Sequence, residues 1–154
     1  MTRKSNNAAL NQITEHQNSG LLDNAFEKTI TYVSGTTGAV GATTLATVTG
    51  MVALQIVADC SVSLVSAGAG TLEVGTALST AGLIAQTTAT DIDINEIWHD
   101  ATPDSSIELT SVILSKIVTQ NVIQTIGTGV ISAGAITYYI RWSPISADGN
   151  VVVA

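Results

Sequence analysis

Every even-numbered position from Val52 to Leu64 is apolar: Val52, Leu54, Ile56, Ala58, Cys60, Val62 and Leu64. Gln55, Asp59, Ser61 and Ser63 stand between them, with Ala53 and Val57 as apolar exceptions on the odd side. A helical face repeats about every 3.6 residues, so this period of two fits a strand with one side buried. At ~3.3 Å per residue such a strand runs roughly 40 Å, longer than most, and predicts a bulge or bend along its length. Gly50 is expected to break it from a preceding apolar run, Leu45–Val48.

The rest of the chain repeats this signature in shorter pieces. Phe26–Ser34 reads as a leading strand and Gly35-Thr-Thr-Gly38 as a turn. Ser66–Gly70 is a glycine-rich loop before a strand over Thr71–Thr76, in which Leu72 and Val74 face inward. Further strands are expected over Gly82–Thr88, Asp91–Trp98 and Ile107–Val112, with a turn at Thr102-Pro-Asp-Ser105. Lys116–Ile126 has paired apolar residues that suit a helical face as well as a bulged strand, and its Val, Ile and Thr content favours the strand. Ala135–Ser143 places Ile136, Tyr138, Ile140 and Trp142 on one face and Tyr139 and Arg141 on the other. Asp148-Gly149 makes a last turn before an apolar tail, Val151–Ala154.

About one residue in seven is Thr, aromatic residues make up 4%, and 13 glycines supply turns, a composition that favours pleated surfaces. The expected fold is all-β: a β-sandwich over residues 26–154, jelly-roll-like, preceded by an N-terminal extended arm or disordered leader over 1–25. In that leader Ala9, Leu10 and Ile13 form one face of a short helix that would order against a neighbouring subunit.

Charge narrows the function classes. From Thr29 to Thr90 the 62 residues carry two charged side chains, Asp59 and Glu73. Ordinary globular chains are about a quarter charged, so such a surface is expected to be covered by copies of itself or by a partner. Residues 29–154 hold two cationic residues against nine acids, the whole net charge of −7. An acidic body argues against nucleic-acid binding, which needs a basic patch. No run of ~18 apolar residues suggests a membrane span. Cys60 is the single cysteine, and the N-terminus lacks the apolar core of a secretory signal, so assembly in a reducing cytoplasm is expected.

Catalytic signals are sparse. Asp91, Asp93, Asn95 and Asp100 offer hard oxygens, but on an alternating strand Asp91, Asp93 and Asn95 would share a face instead of wrapping a cation, so no metal is expected. His99 beside Asp100 has acid–base potential, yet no G-x-S-x-G elbow or phosphate-binding loop accompanies it. A displayed hydrolase would need a cleft with Asp91, Asp93, Glu96 and Asp100 close to His99. The chain is expected not to be an enzyme and to need no cofactor. Tyr139 with Arg141 is a typical interface pairing, and exposed Tyr139 or Trp98 would suit stacking on sugar rings. The candidate interface residues are therefore Leu10, Ile13, Tyr139 and Arg141.

The phrases Thr44-Leu-Ala-Thr-Val-Thr-Gly50, Thr71-Leu-Glu-Val-Gly75 and Thr80-Ala-Gly-Leu-Ile-Ala-Gln-Thr-Thr-Ala-Thr-Asp-Ile-Asp93 resemble a group of small structural proteins of tailed bacteriophages. Glu96-Ile-Trp-His-Asp100 and Trp142-Ser-Pro-Ile-Ser-Ala-Asp-Gly-Asn-Val-Val152 belong to the same resemblance, which covers about Tyr32 to Ala154. It implies a virion component on the capsid exterior, similar in class to the trimeric decoration proteins that cement phage heads. The implied partners are other copies of the chain and the major capsid protein. A receptor- or glycan-binding tail or fibre module is the alternative.

Overall fold

A computed structural model describes residues 24–108 and 113–154 of the chain. Their β-branched and small residues form eleven strands: β1 (Asn24–Thr31), β2 (Gly41–Thr49), β3 (Val52–Val65), β4 (Thr71–Thr76), β5 (Ser79–Thr88), β6 (Glu96–Trp98), β7 (Asp104–Ser105), β8 (Lys116–Val118), β9 (Val122–Gly127), β10 (Ala133–Pro144) and β11 (Asn150–Val153). The first sheet has the order β1-β10-β3-β6-β7, with β8 also paired to β3; the second has the order β11-β2-β9-β4-β5. Every pairing is antiparallel. The protein is an all-β sandwich.

Alternation explains how the two sheets meet. Leu54, Ile56, Ala58 and Cys60 from β3 and Ile136, Tyr138 and Ile140 from β10 line one inner face. Leu45 from β2, Leu72 and Val74 from β4, Ile84 from β5, and Val122 and Ile126 from β9 line the other. Each fully buried Leu or Ile contributes about 1.5–3 kcal/mol relative to an exposed one. Gly50, at φ 63°, takes the sharp reversal between β2 and β3 where a break was expected.

Two polar bridges cross this apolar interior. Tyr32, just past β1, and Tyr138 both donate their hydroxyls to Gln124 Oε1 on β9, at 2.9 and 2.8 Å. The two phenolic oxygens are 3.3 Å apart. Burial pushes the Tyr32 hydroxyl pKa well above its ordinary value, and Tyr138 moves the same way for the same reason. The second bridge is Trp98, whose ring is fully buried and tilted 60° to that of Tyr138 at 6.4 Å.

The structure corrects the sequence reading in four places. Val62, expected inward, is 53% exposed. Cys60 pairs with Ile136 but Val62 with Ala135, so Ser61 is an extra residue in β3. The bulge puts Val62 on the outward side, and a second shift before Val65 returns Leu64 to the core. Asp91–Trp98 is not one strand: Ala89–Asp91 is a 3-10 turn, Ile94 is exposed, and strand resumes at Glu96. Asn95 sits at φ 66° and the Glu96 carboxylate accepts the Asp93 N–H at 2.7 Å, so local Asx and Glu bonding overrides the alternation.

Trp98, considered for surface stacking, is wholly inside. Ile107 and Glu108 lie outside any strand, and 109–112 are outside the described residues. Two smaller boundaries also differ. Asp104 and Ser105 belong to β7 instead of a turn, and Lys116–Ile126 is strand in two pieces, β8 and β9.

Candidate functional site

Four connections gather at one end of the sandwich. Between β1 and β2, Gly38 N–H bonds Val33 O and Gly38 O accepts Ile131 N–H at 2.9 Å. Between β3 and β4, Ser66 Oγ donates to Val130 O at 2.8 Å, while Ser132 N–H reaches back to Val65 O at 2.7 Å. The β5–β6 connection joins through Ile94 N–H on Ser63 Oγ at 2.9 Å and Leu64 N–H on Ile92 O at 3.1 Å. These bonds satisfy the loop backbones and hold four separate segments in one platform.

The platform is unusually short of charge. Residues 33–40, 62–70 and 128–134 contain no Asp, Glu, Lys or Arg. Val33, Val40, Val62, Val65, Ile94 and Val130 all expose their side chains at this end. Asp91 and Asp93 stand at its margin. Loop ends normally carry polar residues, so an apolar, charge-poor platform is a surface suited to being covered.

The expected pair on the outer face is present. Cross-strand register sets Tyr139 opposite Glu27 and Arg141 opposite Ala25. With Phe26 and Ile140 they line a shallow depression of about 320 Å³, and Tyr139 is 45% exposed over it. Leu10 and Ile13 lie outside the described residues, as does all of the expected arm except Asn24 and Ala25, which belong to β1.

The acidic segment does not assemble around His99 as a hydrolase would need. Asp91 and Asp93 are exposed on the turn, and the Glu96 carboxylate caps the Asp93 amide. Asp100 Oδ1 accepts the Thr102 N–H at 2.8 Å. His99 and Asp100 line a cavity of about 90 Å³ with Leu54, Ile56, Leu83 and Ile113 among its walls. His99 Nε2 points towards Glu108, with 3.6 Å to Oε1. Sequence reasoning missed Glu108 because its approach depends on a reversal at Ser106, φ 63°, that carries no strong sequence signal.

Cys60 is packed in the core, where burial pushes its thiol pKa up to about 11. Its Sγ donates to Val62 O at 3.2 Å. A protonated, enclosed thiol is a poor nucleophile. Among the described residues no helix is long and apolar enough to cross a membrane. Comparison with family models, curated proteins and solved structures finds no match.

Proposed function

We propose that this protein is a virion structural component, a capsid decoration protein that assembles as a homotrimer and stabilises a phage head through subunit contacts. The observation that carries this reading is the charge-poor loop platform, whose exposed valines a second copy of the chain would cover. Burial at ~25 cal/mol per Å² makes such a seam a mechanical brace without any chemistry. The N-terminal segment would extend the contact onto the major capsid protein. The strand order supports a jelly-roll reading of the sandwich: β1-β10-β3-β8 faces β2-β9-β4-β5, the alternation of two interleaved Greek keys.

The test has two arms. Light scattering of the purified chain is expected to give three copies. A V62D/V65D/V130D variant should give monomers with unchanged melting temperature. Co-sedimentation with expanded capsids is expected for the full chain and reduced for a chain lacking residues 1–23. A monomeric wild type that ignores capsids would end this reading.

The depression beneath Tyr139 favours a second reading, a glycan-binding appendage module, because a half-exposed phenol beside a guanidinium suits sugar stacking and hydrogen bonding. Binding to cell-surface glycans, lost in Tyr139→Ala and unaccompanied by capsid binding, would decide for it.

A further inference from the structure

The β6–β7 hairpin converts a local sequence into a convergent donor set. Ile97 pairs with Asp104, so the two side chains share a face. His99, two residues past Ile97, continues that face and lies diagonally across from Asp104, within reach of a cross-strand neighbour. Trp98 points the opposite way, into the core. The chain then turns back at Ser106, whose N–H bonds Asn95 O at 3.0 Å, and delivers Glu108 to the same place. A ring nitrogen of His99 and one carboxylate oxygen each from Asp104 and Glu108 all lie within 4.8 Å of one another.

The imidazole decides what this convergence means. The His99 side chain is 6% exposed and its Nε2 makes no hydrogen bond among the described residues. A buried polar nitrogen left so loses its bonds to water without replacement, and native folds seldom retain that cost without a reason. The 3.6 Å to Glu108 Oε1 is too long for a hydrogen bond. It is close to the separation of two donors on one cation: ligands about 2.0–2.2 Å from a tetrahedral centre stand about 3.3–3.6 Å apart.

We propose that His99, Asp104 and Glu108 bind a divalent transition-metal ion, with zinc the best match. One imidazole and two carboxylates form a borderline-hard set that suits Zn²⁺ and leaves a fourth position for water. Calcium fits poorly, because it takes six to eight oxygens and does not favour imidazole. The two carboxylates balance the ion's charge. Bound there, the ion clamps the β6–β7 hairpin and the segment after it to the edge of β3, where β6 is held by the short register Ala58–Trp98 and Asp59–Ile97.

The experiment is calorimetric titration of the full chain, stripped with a chelator, with Zn²⁺ alone, together with Co²⁺ absorption spectra. One ion per chain is expected, with a d–d spectrum of low coordination number. Glu108→Gln and His99→Gln should each weaken zinc at least tenfold, while Asp148→Asn, remote from the hairpin, should not. Circular dichroism of the metal-free variants separates lost ligation from lost folding, and Asp104→Asn provides a second variant if His99→Gln unfolds. Zinc affinity equal in wild type, Glu108→Gln and His99→Gln, or no stoichiometric binding, would overturn the site. So would an imidazole NMR titration showing a plain His99–Glu108 ion pair that zinc does not perturb. None of these readouts depends on the oligomeric state or on capsid binding.

Discussion

Trp98 Nε1 donates to Thr87 Oγ1 across 2.9 Å, and with that bond the edge of one sheet is fastened to the edge of the other. Trp98 closes β6 in the first sheet, and Thr87 lies near the end of β5 in the second. The Thr87 hydroxyl has carbonyls of Ala85, Asp100 and Ala101 at 3.3–3.4 Å for its own proton. It therefore both accepts from the indole and donates to the backbone. Thr87→Val keeps the shape but strands the indole N–H, and should cost about 1–3 kcal/mol in denaturant unfolding. Thr87→Ser keeps the oxygen and should cost less.

Gln124 carries a related prediction with a different signature. Its Oε1 accepts two phenols, so Gln124→Leu leaves buried hydroxyls short of an acceptor and should destabilise by about 1–3 kcal/mol. Its amide Nε2 has no hydrogen-bond partner among the described residues, so the network begins imperfect. Adding Tyr32→Phe and Tyr138→Phe to the leucine variant removes the stranded groups together. The triple variant should recover part of the loss, measured as a non-additive cycle in chemical denaturation.

Alkaline pH should loosen the fold, and Cys60 fixes the direction. Burial raises its pKa from 9.0 to about 11, so between these values the unfolded chain has released the thiol proton while the folded chain keeps it. The folded state then binds more protons, and stability falls as pH rises. The contribution is whole below about pH 9 and is lost towards pH 11; the buried tyrosines act in the same direction at higher pH. Unfolding titrations from pH 8 to pH 11 should show this decline, and Cys60→Ala should flatten its first part.

Steric fit in the loop platform can be separated from backbone strain. A Cβ on Gly38 would stand 1.7 Å from Ile131 O, a main-chain atom that accepts no compression. On Gly35, at φ 76°, it would meet nothing within 4 Å. Gly35→Ala should therefore cost about 1–2 kcal/mol of left-handed strain. Gly38→Ala should cost more, and should also displace the β9–β10 connection, visible as chemical-shift changes at Ile131.

The sandwich was largely legible in the sequence because alternation over Val52–Cys60 and Ala135–Ser143 reports burial on a single face. What escaped depends on register between distant segments. No pattern within β3 marks Ser61 as an extra residue, since its misfit exists against Ala135 and Ile136. Gln124 was readable in principle: it shares parity with Val122 and Ile126, so a polar residue stood on an inner face. The two tyrosines that donate to it, from distant parts of the chain, were not readable. The acidic segment misled because Ile92 and Ile94 mimic a strand, while Asn95 and Glu96 hold a turn. His99 was noticed for its neighbour Asp100, yet Glu108 reaches its ring nitrogen by way of a reversal nine residues long.

The Ser61 bulge makes one strand answer to two selective regimes. Before it, a substitution in β3 is judged by how well it fills the interior; at Val62 it is judged by what meets the protein's surroundings. Such a phase change lets the rim diversify while the wall behind it stays fixed. Shortening β3 by the extra residue would merge the two regimes, turning a tolerant outer position into an intolerant inner one.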